Sequence, residues 1–280
     1  MSDLISTTLD VPGARVYYEA RGTGPVLLLI PGGSGDVGAF ERLASDIADR
    51  FTVVAYERRG FSRSPIDTPI DDTDRIHADA DDAARVLDAV GADTAYVFGS
   101  SSGAIVALDL LTRHPGRVVT AIAHEPPLVE LTPDGPELTA VFDDVHATLR
   151  RDGAEAAMRE FSTRVFGEQP AARPALPPGV ELPRPLVDMM ARMQTNLVFW
   201  IEHELRAYPR YQPDLEALRP LKGKLMLAGG EDSHDTVPYR PNLVLAEQLG
   251  LKVVDFPGDH TGYTYDPAGF AARLLEVLGR

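Results

Sequence analysis

Short apolar runs recur along the chain, and segments with helical periodicity separate most of them. The runs have about five residues each and predict buried strands. They are VLLLI (26–30), TVVAY (52–56), AYVFG (95–99), VTAIA (119–123), KLMLA (224–228) and KVVDF (252–256). The helical patterns lie near 38–50, 75–90, 102–114, 240–249 and 267–278. This alternation predicts an α/β fold, with a mostly parallel twisted sheet and helices on both faces.

The alternation has an antiparallel beginning and one long interruption. Residues 5–11 and 14–19 predict a hairpin at one edge of the sheet. After the run at 119–123 come helix-like segments and the proline-rich stretch 170–185, which we expect to be an extended connector. A helical insertion in an α/β core is typical of a cap. The predicted division is a core of residues 1–125 and 216–280 and a helical cap of residues 126–215.

Composition narrows the classes of partner. The 280 residues include 27 Lys and Arg against 42 Asp and Glu, which gives a net charge of −15. Such a surface repels phosphate backbones and anionic lipid, so we expect neither a nucleic acid nor a membrane as partner. The chain has no cysteine, so disulfides, thiolate metal sites and a cysteine nucleophile are excluded. The N-terminal residues do not have the pattern of a signal peptide, and we expect a soluble, cytoplasmic protein.

Two patterns resemble metal-binding sites, one rich in aspartate and one with a histidine. The Asp-rich run 67–88 is more typical of a solvated loop and helix face. His203-Glu204 begins like a zinc motif, but Ala207 stands where the second histidine would be. We therefore expect no metal and no cofactor. The sequence leaves open whether the chain is a monomer or a homodimer.

The clearest chemical motif is GSSSG at 99–103, between a predicted strand and a predicted helix. G-x-S-x-G on a strand-to-helix turn is the pattern of a nucleophile elbow, in which a tight turn projects the central hydroxyl above the sheet. Only Ser101 has glycine both two residues before and two residues after it. Ser101 is therefore the candidate nucleophile.

A serine hydroxyl needs a base, and the base needs an orienting acid. His260 lies in the loop after the last strand, where it can reach Ser101. His124, next to Glu125, follows an earlier strand and could line the site. Asp232, after the strand at 224–228, is the preferred acid. Acids that the sequence leaves open are Glu231, Asp235 and Glu125.

The loop PGGSGDVG at 31–38 supports a rival interpretation. Gly33, Gly35 and Gly38 form G-x-G-x-x-G after a strand, and Glu57 ends the next strand, as in a dinucleotide-binding unit. That hypothesis leaves GSSSG and the segment DHTGY at 259–263 unexplained. None of the chain's three lysines follows a tyrosine by four residues, as a short-chain dehydrogenase requires.

Taken together, these segments resemble the α/β-hydrolase fold superfamily, in its capped esterase and epoxide-hydrolase-like branch. The resemblance covers nearly the whole chain and includes YERRGFSRS (56–64), with Glu57 and Ser62 in place of the usual Asp and Gly. It implies an oxyanion hole formed by the backbone N–H groups of Gly33 and Ser102. Pro31 replaces the usual His, so no such ring supports this loop.

The resemblance also implies a reaction. Serine at 101, rather than aspartate, argues against epoxide hydrolase and dehalogenase chemistry. It favours hydrolysis of a small, largely apolar ester or lactone through an acyl-enzyme, without a cofactor. Perhydrolase or haloperoxidase-like activity and acyl transfer are alternatives on the same triad, and a non-catalytic receptor is a third class.

Pocket residues are the least determined. The cap segment 186–205 holds methionines and aromatic residues, of which we expect most to pack the cap on the core. We predict that Trp200 lines the substrate pocket, together with His124 and with Tyr263, which lies three residues after the candidate base.

Overall fold

The predicted apolar runs form the strands of one sheet. The computed structural model describes residues 4–69, 71–167 and 182–280. Its strands are β1 (Ile5–Val11), β2 (Ala14–Gly22), β3 (Val26–Ile30), β4 (Thr52–Tyr56), β5 (Ala95–Ser100), β6 (Val118–His124), β7 (Leu225–Gly230) and β8 (Val253–Phe256). They are ordered β1-β2-β4-β3-β5-β6-β7-β8. Strands β3 to β8 pair in parallel, whereas β1 with β2 and β2 with β4 are antiparallel, as predicted.

Helices connect the parallel strands, and the α/β class is confirmed. They are α1 (Glu41–Ile47), α2 (Arg75–Ala89), α3 (Ser102–Arg113), α4 (Gly135–Asp152), α5 (Ala154–Phe166), α6 (Arg184–His203), α7 (Leu215–Leu218), α8 (Arg240–Leu249), α9 (Gly262–Tyr265) and α10 (Pro267–Val277). Short 3₁₀ helices cover Val37–Phe40, Val129–Leu131, Tyr208–Arg210 and Arg219–Lys224. In the described part of the chain, no helix is long and apolar enough to cross a bilayer.

The sheet buries apolar side chains on both faces. In β3, Leu28 and Ile30 face a core with α2 and α3, while Leu27 and Leu29 face a second core with α1 and α10. This follows from the two-residue period of a strand whose two faces are both covered. The sheet is therefore covered on both faces, and its parallel strands end at one edge, from which the loops with the candidate residues begin.

Helices α4, α5 and α6 lie between β6 and β7 in the chain and share a separate apolar cluster. We call the segment from Val129 to Arg210 the helical insertion. Helix α6 begins at Arg184, within the stretch predicted to be an extended connector, and ends at His203. Most of that proline-rich stretch, residues 170–181, lies outside the described residues.

The Asp-rich run is the predicted solvated face only in part: Asp67, Asp71, Asp74 and Asp88 are exposed, but two of its aspartates are not. Asp79 and Asp82, on α2, are buried and pair with the buried guanidinium groups of Arg58 and Arg59. One helical turn separates the two acids, so both face the loop after β4. Within the described ranges, no group of His, Asp or Glu side chains is arranged to hold a metal ion.

Candidate active site

Ser101 lies on the tight turn between β5 and α3. Its backbone has φ +56° and ψ −124°, a conformation that is strained for a residue with a side chain. A Cβ at Gly99 would lie 2.2 Å from the carbonyl oxygen of Gly103, and a Cβ at Gly103 would lie 2.2 Å from that of Ile30. Both flanking glycines are therefore required by backbone contacts, and the turn directs the Ser101 side chain away from the sheet.

His260 faces Glu125. The His260 ring follows β8, and its Nδ1 lies 2.5 Å from Oε2 of Glu125, which directly follows β6. The Glu125 side chain is fully buried, and its other oxygen accepts a hydrogen bond of 2.7 Å from the Gly230 N–H. Glu125 has φ +49°, and its own N–H donates to the carbonyl of Ala228. The carboxylate is thus fixed at the ends of β6 and β7, opposite the imidazole.

The environment keeps Glu125 ionised. Burial alone would raise the pKa of its carboxyl group, but His260 and the Gly230 N–H stabilise the charged form and lower that pKa to about 2. A carboxylate that is charged at neutral pH can hold the Nδ1–H of the ring and stabilise an imidazolium.

The preference for Asp232 as the acid is wrong in this structure. The Asp232 side chain is exposed, and His260 is paired with Glu125, the alternative. The reason lies in the backbone: the N–H of Asp232 donates to the carbonyl of Gly258, which packs the histidine loop against the end of β7. A Cβ at Gly230 would be 2.4 Å from that same carbonyl. This close packing leaves Asp232 beyond the loop, where its side chain faces solvent. Glu231 and Asp235 are also exposed.

Two residues that line the same cavity as Ser101 have a backbone N–H without an acceptor in a helix or strand. Ser102 is the first residue of α3, where the helix itself provides no acceptor for an N–H. Gly33 follows β3, and no hydrogen bond joins its N–H to another described residue. Gly33, Ser101 and Ser102 all line one cavity. The arrangement can therefore accept an oxygen that develops negative charge.

The glycines of PGGSGDVG are required by side chains from elsewhere in the chain. A Cβ at Gly33 would lie 2.7 Å from the Trp200 indole, one at Gly35 would lie 2.1 Å from Phe61, and one at Gly38 would lie 2.5 Å from Met189. Trp200 and Met189 belong to α6, so the loop is glycine-rich where the helical insertion packs on it.

Glu57, the acidic residue of the rival dinucleotide pattern, already has hydrogen-bond partners in the protein. Glu57 is completely buried, and both its oxygens accept hydrogen bonds from Arg63. The Glu57 carboxylate therefore binds within its own loop. The dinucleotide interpretation requires it to face a ribose instead.

The cavity above Ser101 has a volume of about 430 Å³. Its walls come from the loops that carry Gly33, Ser101 and His260 and from the helical insertion, and they are mainly apolar. Ser101 and His260 both border it, without a hydrogen bond between their side chains in this conformation. Apolar side chains that line it include Phe142, Phe161, Phe166, Met193, Leu197 and Trp200.

Of the three predicted pocket residues, only Trp200 borders the cavity. His124 is fully buried behind Glu125, among the rings of Phe98, Phe256 and Phe270. Tyr263 packs against the same group, and its hydroxyl lies 3.4 Å from that of Ser100. Strand β6 directs consecutive side chains to opposite faces, so His124 turns into the core.

Comparison with known proteins shows the family to which the chain belongs. The sequence profile described as the alpha/beta hydrolase fold matches residues 25–168, about half of the chain. The chain belongs to the α/β-hydrolase fold family. It is 38% identical over 275 residues to the uncharacterized hydrolase YraK of Bacillus subtilis, covering 97% of this chain and 95% of that one. It is 31% identical over 285 residues to a zearalenone hydrolase of Cladophialophora bantiana, covering 98% and 96%.

Solved α/β-hydrolase structures share the fold at lower identity. A hydrolase from Pseudomonas aeruginosa superposes with a TM-score of 0.72 at 20% identity, over 98% of each chain. A thermophilic esterase from Thermogutta terrifontis also gives 0.72 at 20% identity, over 99% of this chain and 98% of that one. Because the family profile matches and the curated relatives are hydrolases, the chain is a hydrolase of the α/β fold.

Proposed function

We propose that this protein is a serine hydrolase that cleaves a carboxylic ester or lactone of a small, largely apolar substrate. Ser101 is the nucleophile, His260 is the general base and acid, and Glu125 orients the ring. The N–H groups of Gly33 and Ser102 form the oxyanion hole. The observation that carries the proposal is the 2.5 Å contact of the buried Glu125 with His260, whose ring borders the cavity that Ser101 also lines.

The reaction has two steps on these groups. Ser101 Oγ attacks the carbonyl carbon and passes its proton to His260, and the carbonyl oxygen takes up negative charge between the two N–H groups. The imidazolium then protonates the departing oxygen, which leaves an acyl group on Ser101. Water activated by His260 breaks this second ester and restores the hydroxyl.

The cavity and the relatives together favour lactones among the substrates. An apolar cavity of about 430 Å³ suits a ring or an aryl group better than a polar acid. Relatives from two fungi are called zearalenone hydrolases, and zearalenone is a lactone. We infer that the segment 126–215 acts as a cap, because its helices α4, α5 and α6 supply most of the apolar walls.

Mass spectrometry of the intact protein distinguishes a lactone from an open ester. A lactone keeps its leaving alcohol attached, so the acyl-enzyme should gain the full mass of the substrate. An open ester should add only its acyl part. The panel comprises aryl esters of increasing acyl size and lactones of increasing ring size, with rapid acid quench and Ser101→Ala as the control.

Competing nucleophiles separate hydrolysis from the alternatives. The acyl-enzyme can be partitioned among water, a primary alcohol and hydrogen peroxide, and the products quantified. We expect water to account for most turnover. Preferential formation of the new ester or of the peracid would instead make the protein an acyltransferase or a perhydrolase. Turnover without any adduct on Ser101 would contradict the acyl-enzyme mechanism.

A further inference from the structure

Arg58 has an acceptor for each of its five guanidinium N–H groups, and its side chain is completely buried. Its Nε donates to the carbonyl of Pro31 at 3.0 Å, and Nη2 donates to the carbonyl of Gly32 at 3.0 Å. The other N–H groups bind Asp79 Oδ2 at 2.8 Å and both oxygens of Glu204. This planar set of five donors is specific to arginine, since a lysine ammonium has only three.

The acceptors come from three separate parts of the chain. Pro31 and Gly32 precede the candidate oxyanion donor, Asp79 belongs to α2, and Glu204 directly follows α6 of the helical insertion. Glu204 is completely buried and also borders the active-site cavity. Burial raises the pKa of the Glu204 carboxyl group, and Arg58 opposes that effect. The guanidinium therefore joins the loop 31–38, which contains Gly33 and is called the oxyanion loop below, to the core and to the helical insertion.

The contact with Gly32 has a direct geometric consequence. The carbonyl of Gly32 and the N–H of Gly33 belong to the same peptide unit, which is planar and trans. They point in opposite directions, so a hydrogen bond that fixes the carbonyl also fixes the N–H. The Gly35 N–H donates to the same carbonyl at 3.0 Å. Arg58 thus sets the direction in which Gly33 presents its N–H to the cavity.

We propose that Arg58 is a positioning residue for the oxyanion hole, and that Glu204 couples this function to the helical insertion. The proposal rests on the proposed function, because it assigns a support to the Gly33 N–H. Position 31 is a proline, whose side chain offers no donor to stabilise the loop. Arg58 stabilises the loop instead, through the carbonyl of this peptide unit and that of the unit before it.

The neighbouring Arg59 provides a control for the loss of a buried arginine from this loop. It lies on the same loop, is almost fully buried, and pairs with Asp82, one turn after Asp79 on the same helix. Unlike Arg58, it has no hydrogen bond to the oxyanion loop. Arg58→Met takes the guanidinium away from Asp79, from Glu204 and from the carbonyls of Pro31 and Gly32. Arg59→Met takes a buried guanidinium away from Asp82, which keeps Arg85, and removes no donor from the loop.

The test measures phosphonylation of Ser101 by a fluorophosphonate. In that reaction the Oγ–P bond forms, fluoride leaves, the hydroxyl proton passes to His260, and the phosphoryl oxygen gains charge in the hole. The final extent of labelling measures the fraction of folded sites. The rate constant measures how well the oxyanion hole stabilises the charged oxygen. We expect Arg58→Met to lower the rate constant and kcat by about 10- to 100-fold, with KM nearly unchanged.

The variants separate positioning from stability. Arg59→Met should lower the final extent of labelling more than the rate constant, and Arg58→Lys should recover part of the rate. Equal rate constants for Arg58→Met and Arg59→Met, with a labelled wild type, would overturn the positioning role of Arg58. They would leave the proposed function intact. A wild type that is not labelled at Ser101 would overturn the proposed function and this proposal with it.

Glu204→Gln tests the coupling to the insertion. It keeps the size of the side chain but removes the charge that holds two N–H groups of Arg58. We expect a smaller fall in the rate constant than for Arg58→Met, and no further fall when the two changes are combined, because they act through one network. Additive losses in the rate constant would show that Glu204 acts independently of Arg58 and would overturn the coupling.

Discussion

His260 Nδ1 and Glu125 Oε2 lie 2.5 Å apart, although 135 positions separate the two residues in the chain. The contact forms because β6 and β8 end at the same edge of the sheet, on either side of β7. Glu125 leaves β6 with a positive φ, which turns its carboxylate across the end of β7. The sheet order therefore determines which acid meets the histidine.

Replacing Glu125 should impair catalysis far more than replacing Asp232. Glu125→Gln leaves an amide where the Nδ1–H needs a carboxylate, and we expect kcat to fall by about 10³- to 10⁴-fold, as in other triads. Asp232→Asn should retain activity within about twofold of the wild type, because exposed residues outside a site have small effects. Steady-state hydrolysis of an aryl ester measures both.

Glu125→Asp is the informative intermediate. It keeps the charge and shortens the side chain by one methylene, so its activity should lie between those of the wild type and Glu125→Gln. A crippled Asp232→Asn with an active Glu125→Gln would reverse the assignment of the acid.

The sequence predicts that Ser101 and His260 lie at one site, and both line the same cavity, but it prefers an acid that does not pair with His260. The difference has a physical reason. The elbow glycines are demanded by contacts within a few residues of Ser101 or with the adjacent β3, and these contacts leave a local motif. The acid is selected by how the loops after β6, β7 and β8 pack. The carbonyl of Gly258, which packs on Gly230, belongs to a contact between distant segments that no local pattern records.

The glycine loop illustrates the same limit. G-x-G-x-x-G at 33–38 matches a nucleotide pattern, yet its glycines make room for Trp200, Phe61 and Met189. The sequence correctly places these residues after a strand and cannot show which side chains cover them. Arg58 is similar: its segment is recognisable, but its five acceptors lie on three separate parts of the chain.

Ser101 should be the only serine of GSSSG that is labelled by a fluorophosphonate. Ser101→Ala should lose labelling and turnover together. Ser102→Ala is the control, because it removes only a side chain and leaves the backbone N–H in the oxyanion hole. Peptide mapping identifies the modified residue, and an adduct on Ser100 or Ser102 would contradict the register of the elbow.

Gly33→Ala should displace the chain's only tryptophan. The added methyl group would lie 2.7 Å from the Trp200 indole, so that ring or the loop must move. We expect a change in tryptophan emission excited at 295 nm and a fall in kcat of about 10-fold or more, because the Gly33 N–H moves with the loop. Gly116→Ala is the control, since a Cβ there meets no atom within 4 Å. Unchanged emission and activity in Gly33→Ala would contradict this packing.

His124 should make the fold lose stability as the pH falls below neutral. Burial lowers the pKa of this imidazole to about 4, from 6.5 for an exposed histidine. Between these values the unfolded chain binds a proton that the folded chain does not, so the free energy of unfolding decreases as the pH falls from about 6.5 to about 4. The full effect is about 3 kcal/mol, since each pH unit is worth about 1.4 kcal/mol.

A leucine at position 124 isolates this contribution. It has a similar volume, does not titrate, and would face the same phenylalanine rings. Urea unfolding of the wild type and His124→Leu at pH 7.0 and pH 4.5 gives the loss of stability for each. We expect the loss to be about 2 to 3 kcal/mol smaller in His124→Leu than in the wild type. Equal losses in the wild type and His124→Leu would mean that the buried imidazole takes up its proton as readily as an exposed one.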